Sequence, residues 1–208
     1  MNIAIVDYGV GNLFSLKCSF AAIGEQAEVT GDPARILSAD RLVLPGVGAF
    51  GDAAERLRSA GLDSVLKEAA AGGIPLLGIC LGMQLLFDES WEYGVHAGLG
   101  LVPGCVRPIS DVIPAGQKIP HMGWNALKFR QGGGDLFRST PEGAYVYFVH
   151  SYYAAECGPY ITAETEYGAM LTAAVQRGSV YGCQFHPEKS GKAGLNILRE
   201  FVKGAGTC

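Results

Sequence analysis

The chain has 208 residues, of which 49% are hydrophobic and 17% charged, and its formal net charge is −4. This length and apolar content predict one compact domain over residues 1–208 and exclude a disordered chain. The slight negative charge, with no run of lysine or arginine, argues against nucleic acid or an anionic membrane as the main partner.

The N-terminal sequence and the cysteines indicate the cellular setting. Residues 1–12 lack the basic segment of a signal peptide, and no apolar run is long enough to span a bilayer. The six cysteines are scattered without a C-x-x-C pair, unlike a disulfide framework or a zinc site. We therefore expect a reducing, cytoplasmic setting and neither a metal nor another cofactor.

The first half of the chain alternates between short apolar segments and helical periodicity. The pattern predicts strands at residues 2–6, 28–30, 41–44 and 74–79. It predicts helices at residues 13–23 and 81–88, and a helical region from residue 52 to 71 that breaks near Gly61. Such alternation implies a parallel sheet with right-handed crossovers.

The second half has a different pattern, with short strand-like segments between residues 102 and 185. We predict strands at residues 112–119, 124–127, 145–149 and 152–155, and a hairpin over residues 171–185 that turns at Arg177-Gly178. Residues 192–203 form an amphipathic helix with Leu195, Leu198 and Val202 inward. The expected fold is α/β: an open, mixed, largely parallel sheet flanked by helices, with additional antiparallel strands in the C-terminal half.

One cysteine lies between a predicted strand and a predicted helix, in GICLGMQLLF at residues 78–87. Gly78 and Gly82 flank Cys80 at i−2 and i+2, which is the spacing of a nucleophile elbow. A helix N-terminus also favours the thiolate form of a cysteine. The alternative is a small buried cysteine that closes a strand, and this segment alone does not decide between the two.

A second candidate lies in QFHPEKS, residues 184–190. In an extended segment, His186 and Glu188 point to the same side, and a carboxylate beside an imidazole fixes its tautomer. An isolated H-x-E is more often a surface pair. Combined with the elbow cysteine, it predicts a triad of nucleophile, base and orienting group, formed by Cys80, His186 and Glu188.

The glycine-rich PGVG, residues 45–48, follows a predicted strand next to that of the nucleophile. Such a loop can direct a backbone N–H at a developing oxyanion, and the Leu81 amide would supply the second donor. The alternative is an ordinary turn between strand and helix. It is not a phosphate loop, because G-x-x-x-x-G-K-[ST] is absent.

Together these motifs resemble the class I, triad-type glutamine amidotransferases, which have a flavodoxin-like sheet. More narrowly, the chain resembles the glutaminase subunits of imidazole glycerol phosphate synthase in histidine biosynthesis. DYGxGN and PHMGWN distinguish this subfamily from the GMP, anthranilate and carbamoyl-phosphate types. The matching segments, in the family's order, are VDYGVGNLFS, LPGVGAFGDA, GICLGMQLLF, GLGLVPG, KIPHMGWN, YFVHSYY and QFHPEKSGKAGL.

The resemblance implies roles for individual residues. Cys80 attacks the glutamine side-chain amide and forms a thioester, while His186, oriented by Glu188, transfers protons. The oxyanion hole combines the amides of Val47 and Leu81. The residues that match the family's glutamine-binding positions are Gly48, Gln84, Glu92, His150, Ser151 and Tyr152.

The resemblance also implies a partner, a (β/α)8-barrel cyclase that receives the ammonia within a heterodimer. Trp124 alone would more often be a core residue, but in PHMGWN an interface anchor is the better interpretation. We also expect the isolated chain to be a poor glutaminase that its partner activates. The residues that match the interface positions are Asn12, Met122, Trp124, Tyr147 and Lys189.

Two other functions stay open at this point: a glutaminase that serves another amidotransferase pathway, and a non-enzymatic docking module of the same fold. The complete Cys/His/Glu set argues against the docking module. Residues 107–117 are longer and richer in proline than the family leads us to expect. The tail, residues 204–208, matches nothing in the family, and we expect it to be frayed.

Overall fold

The computed structural model describes residues 1–204. The expected fraying therefore concerns a tail that, beyond Gly204, lies outside the described residues. The strands are β1 Ile3–Val6, β2 Ala27–Thr30, β3 Arg41–Leu44, β4 Leu76–Ile79, β5 Glu89–Ser90, β6 His96–Ala97, β7 Cys105–Pro108, β8 His121–Phe129, β9 Tyr145–His150, β10 Tyr152–Ala155, β11 Ile161–Glu166, β12 Met170–Arg177 and β13 Val180–Cys183. The α-helices are α1 Leu13–Ala22, α2 Pro33–Leu37, α3 Phe50–Ser59, α4 Leu62–Ala71, α5 Leu81–Gln84 and α6 Gly191–Lys203.

A nine-stranded sheet in the order β2-β1-β3-β4-β13-β12-β11-β8-β9 forms the centre of the fold. From β2 to β13 neighbouring strands run parallel, and from β13 to β9 they pair antiparallel. A smaller sheet has the order β10-β7-β5-β6. The predicted mixed α/β architecture with antiparallel strands in the C-terminal half is confirmed.

Helices cover both faces of the large sheet. Leu16 and Phe20 of α1 pack with Ile197 and Phe201 of α6 against one face, and α3 and α4 pack against the other. Two covered faces explain why β1 and β4 are apolar at nearly every position instead of alternating. Because β3, β4 and β13 are parallel neighbours, their carboxyl ends meet at one edge of the sheet, where open α/β folds bind ligands.

The helix predicted at residues 81–88 is wrong in length, because α5 ends at Gln84. The carbonyls of Leu85 and Leu86 are taken by the N–H groups of Leu99 and Leu101, from a loop that folds back over them. The chain therefore leaves the helix after one turn.

The strand predicted at residues 112–119 is also wrong. A short 3-10 helix, Ile109–Asp111, precedes this region, and residues 112–119 form turns and irregular backbone. Pro114 lacks an N–H donor, which explains why the β-branched residues around it do not join a ladder. Helix α2 and strands β7 and β11 were not predicted. In α6, Leu195 is only half-buried, and Ile197 and Phe201 make the innermost contacts of the helix.

Candidate active site

Cys80 lies at the sharp turn from β4 into α5, with φ of 55° and ψ of −113°. Non-glycine residues at positive φ are strained and concentrate at functional sites. A Cβ on Gly82 would lie 1.9 Å from the Leu44 carbonyl oxygen, and one on Gly78 would lie 2.6 Å from the Gly82 oxygen. The two glycines are therefore a steric requirement of the turn, which has the geometry of a nucleophile elbow.

His186 and Glu188 follow the end of β13, the strand that pairs with β4. The Nδ1 of His186 lies 2.8 Å from Glu188 Oε1, and the two side chains are only 3% and 1% exposed. The expected extended geometry is wrong, because Pro187–Lys189 forms a single 3-10 turn. This turn nevertheless directs the carboxylate at the imidazole, so the pair that the sequence predicted is present.

Backbone contacts that the sequence did not predict hold His186 in place. The His186 N–H donates to the Tyr147 carbonyl at 2.9 Å, and Ser190 Oγ donates to the His186 carbonyl at 2.6 Å. The Tyr147 N–H in turn donates to Ser190 Oγ at 3.0 Å. His186 is thus fixed to β9 on one side and to the start of α6 on the other.

The electrostatics of His186 favour its protonated form. Burial alone lowers its pKa, but the nearby Cys80 and the hydrogen bond to Glu188 outweigh burial and raise the pKa to about 9. A proton taken from Cys80 is therefore stable on His186 near pH 7. The Cys80 sulfur also accepts from Gln184 Nε2 at 3.7 Å, a contact that the sequence did not indicate.

The PGVG loop lies over the elbow. A Cβ on Gly46 would lie 2.6 Å from the Gly82 nitrogen, so the loop packs directly against α5. The buried Tyr8 hydroxyl donates to the Pro45 carbonyl at 2.7 Å and fixes the base of the loop. Desolvation in this site raises the pKa of Tyr8, with a further contribution from Cys80.

A cleft of about 570 Å³ opens above Cys80. Its walls come from the ends of β4 and β13, from the PGVG loop and from the segment between β9 and β10. All six predicted glutamine-binding residues and both predicted oxyanion donors line it. The lining residues among the predicted set are Val47, Gly48, Cys80, Leu81, Gln84, Glu92, His150, Ser151, Tyr152 and His186.

Two polar side chains of the cleft are held by the protein itself. The Gln84 Nε2 donates to Gln184 Oε1 at 2.9 Å and to the Tyr152 carbonyl at 3.2 Å, so its Oε1 is the atom available to a ligand. Glu92 Oε2 accepts from the Phe50 N–H at 2.6 Å. Burial raises the pKa of Glu92, an effect that this backbone hydrogen bond opposes.

The five residues predicted at a partner interface do not line the cleft. Met122 and Trp124 are 60% and 53% exposed on β8. The Trp124 and Tyr147 rings meet edge to face at 5.7 Å, and Lys189 Nζ lies 5.7 Å from the Tyr147 ring centre. Asn12 accepts from the Ser15 N–H and caps α1. Tyr147 thus joins an exposed aromatic face to the backbone that holds the base.

Two features of residues 1–204 bear on other classes of protein. In this range no three His, Cys, Asp or Glu side chains converge as a metal site. Nor does any helix there combine the length and apolar character needed to cross a membrane.

Comparisons with known proteins agree with this geometry. The family described as "Glutamine amidotransferase class-I" matches residues 4–205. The chain is 50% identical to "Imidazole glycerol phosphate synthase subunit HisH" of Moorella thermoacetica over 200 residues, 96% of this chain and 93% of the relative. It is 48% identical to the protein of the same name in Streptococcus sanguinis over 197 residues, 95% and 93% of the two chains.

Among solved structures, the fold is similar to "Structure of PurLQS from Thermotoga maritima", with a TM-score of 0.73, 18% identity and coverage of 97% of both chains. At this identity the likeness concerns the fold alone. The family match over nearly the whole sequence and the near-50% identities carry the assignment. The chain belongs to the class I glutamine amidotransferases and, within them, to the HisH family of imidazole glycerol phosphate synthase subunits.

Proposed function

We propose that Cys80, His186 and Glu188 hydrolyse the side-chain amide of L-glutamine and that the ammonia serves a synthase partner in histidine biosynthesis. Glutaminase activity of this kind is the function of the family to which the chain belongs. The observation that carries the assignment to these residues is the convergence of a strained elbow cysteine and a buried His-Glu pair at the floor of one cleft.

The reaction proceeds in two steps, formation of a thioester and its hydrolysis. Cys80 Sγ transfers its proton to His186 and bonds to the amide carbon, and the C–N bond then breaks as His186 returns the proton to the leaving nitrogen. Ammonia and a γ-glutamyl thioester result. Water attacks the thioester with His186 as base, and glutamate and the free thiol are released. Glu188 stabilises the imidazolium in both steps, at 2.8 Å from Nδ1.

The tetrahedral intermediates need two N–H donors. We assign the Leu81 amide, at the first residue of α5, because the first N–H groups of a helix have no partner within it. We assign the Val47 amide as the second donor, since its loop packs on α5 and lines the same cleft. Two such donors stabilise negative charge that develops on the former carbonyl oxygen.

The amino-acid end of glutamine needs acceptors for its ammonium group and donors for its carboxylate. Glu92 and Gln84 Oε1 offer acceptors on one wall of the cleft. The backbone of His150, Ser151 and Tyr152 lines the same cleft, and the Tyr152 carbonyl accepts from the Gln84 amide. This arrangement leaves the side-chain amide of the substrate over Cys80.

A single assay tests the catalytic assignment. Glutamate release is measured with the partner cyclase present, for the intact chain, for Cys80→Ala and for Cys18→Ala, which removes an exposed thiol. Cys80→Ala abolishes release and Cys18→Ala leaves it intact. A glutamine analogue bearing a chloromethyl ketone labels Cys80 but not Cys18. Release by Cys80→Ala would overturn the assignment.

For the partner, we propose a (β/α)8-barrel cyclase that docks as a heterodimer on the face of Asn12, Met122, Trp124, Tyr147 and Lys189. The exposed aromatic and thioether side chains favour this face, since such residues anchor interfaces. Trp124→Ala weakens complex formation at least about tenfold, which corresponds to about 1.4 kcal/mol. Trp91→Ala is the control, because Trp91 is 44% exposed and outside this face. Equal affinities of the two variants would contradict the docking face.

A further inference from the structure

A line of hydrogen-bonding groups runs from the cleft into β8. His121 and His150 are register partners in β8 and β9, and His121 Nδ1 lies 3.0 Å from His150 Nε2. His150 Nδ1 lies 2.8 Å from the Tyr152 carbonyl oxygen, and His121 Nε2 lies 2.9 Å from Asn125 Oδ1. Both imidazoles are buried, and the glutaminase mechanism above uses neither ring.

A count of protons limits the tautomers of the two rings. Burial lowers the pKa of His121 and lowers that of His150 to about 3, so both rings are neutral near pH 7 and carry one N–H each. The Tyr152 carbonyl can only accept, so the proton of His150 lies on Nδ1. His150 Nε2 is then an acceptor, and His121 has one proton for two contacts. On Nδ1 this proton serves His150 Nε2, and on Nε2 it serves Asn125 Oδ1, whose amide nitrogen donates to the Glu166 carbonyl. The contact between the two rings is buried and Asn125 is half-buried, so a missing donor costs more between the rings.

Packing fixes the orientation of the outer ring. His121 lies between two aromatic rings: Phe148 at 5.0 Å and 19°, and Tyr167 at 4.0 Å and 18°. The two stacked rings therefore hold His121 Nδ1 against His150 Nε2. His150 in turn donates to the carbonyl of Tyr152, which also accepts from Gln84 Nε2 at 3.2 Å.

We propose that His121 carries its proton on Nδ1 and is a positioning residue of the glutamine site, which acts through His150 to hold the Tyr152 carbonyl and the Gln84 amide in their binding geometry. The inference rests on the proposed function, because it assigns the Tyr152 segment to glutamine binding. His121 touches neither substrate nor nucleophile in this scheme. Its loss therefore affects glutamine binding more than the chemical steps.

The test is His121→Phe, which keeps an aromatic ring between Phe148 and Tyr167 but removes the donor to His150. In the complex with the cyclase we expect the KM for glutamine to rise about tenfold and kcat to stay within about twofold. His121→Gln, whose amide can still donate to His150, restores most of the KM. Tyr167→Phe is the matched control: it keeps the stacked ring, loses only the hydroxyl bond to the Lys118 carbonyl, and leaves both constants unchanged.

Nitrogen NMR of the imidazoles provides a readout that does not depend on activity. The chain has only four histidines, so single variants assign the signals. At pH 7 His121 and His150 both carry the proton on Nδ1, and His121→Phe shifts the His150 signals. An unchanged KM in His121→Phe, or a proton on Nε2 of either ring, overturns the inference. An intact chain that releases no glutamate would instead contradict the proposed function.

Discussion

The hydrogen bond from Tyr8 to the PGVG loop makes a sharp prediction about catalysis. Tyr8→Phe deletes one oxygen atom and leaves the buried Pro45 carbonyl without its 2.7 Å donor. A buried polar group that loses its partner costs about 1–3 kcal/mol of the free energy of unfolding. For a chain of this size, each kcal/mol lowers the Tm by about 2–4 °C.

We expect the same deletion to disturb the proposed oxyanion hole. Complete removal of one oxyanion donor lowers kcat by about 10²–10³ in a well-studied protease. Tyr8 holds the base of the loop and not the Val47 amide itself, so we expect a smaller fall in kcat, about tenfold. The KM for glutamine changes less than kcat, because Gly48 alone among the proposed glutamine-binding residues belongs to this loop.

The assay combines thermal unfolding of the chain with glutamate release in the complex. Tyr181→Phe is the control: Tyr181 is also buried, and its hydroxyl donates to Asp135 Oδ2 at 3.2 Å beneath α6, away from the elbow. Both variants lose stability, but only Tyr8→Phe loses kcat. If Tyr8→Phe became less stable and kept its full kcat, the hydrogen bond would be structural only and the reasoning about the loop would be wrong.

Three further predictions concern the elbow, the base and the partner. Gly82→Ala places a Cβ 1.9 Å from the Leu44 oxygen, so it lowers stability by several kcal/mol and abolishes activity, whereas Gly158→Ala, with open space around its Cβ, changes neither. His186 titrates in NMR with a midpoint of about 9. The folded-state pKa of His186 is above the ordinary 6.5. Its protonation therefore contributes about 3 kcal/mol or less to the free energy of unfolding. This contribution is complete below pH 6.5 and disappears as the pH rises through 9. In Cys80→Ala the midpoint falls and this loss shrinks; an unchanged midpoint would refute the contact with Cys80. Finally, glutamine turnover rises when the cyclase and its nucleotide are added, and equal rates with and without them would contradict activation.

The sequence predicted the elbow well because its constraint is local. Gly78 and Gly82 are required by contacts within a few residues of Cys80 or with the adjacent β3, so their spacing carries the information. Tyr8 and Ser190 were missed because their roles depend on partners that only the fold brings near. Tyr8 and its partner Pro45 are 37 positions apart in the sequence. Ser190 Oγ accepts a hydrogen bond from the Tyr147 N–H, and these two residues are 43 positions apart.

The wrong or missing strand predictions in the C-terminal half of the chain have a physical origin as well. Strand β11 contains Glu164, an acidic residue in a buried strand, which a hydrophobic pattern does not predict. Its carboxylate is paired with Arg130, a residue outside the strand. The segment at residues 112–119 shows the opposite case, since its β-branched residues suggest a strand that Pro114 prevents. Tertiary pairing and missing donors thus override the local pattern.

The expected activation by a partner has a physical basis in the alternation of β8. Its exposed positions include Met122 and Trp124, while His121 points inward at His150. The neighbouring β9 carries Tyr147, whose carbonyl accepts from the His186 N–H. Binding of a partner at the exposed face can therefore affect the cleft in two ways: through the imidazoles to the Tyr152 carbonyl, and through the β9 backbone to His186. The first route passes through His121 and the second does not. Comparison of cyclase activation of kcat in His121→Phe and Tyr167→Phe consequently separates them. We expect equal activation, in line with the nearly unchanged kcat of His121→Phe, which assigns activation to the β9 backbone. Lost activation in His121→Phe alone would assign it to the imidazoles.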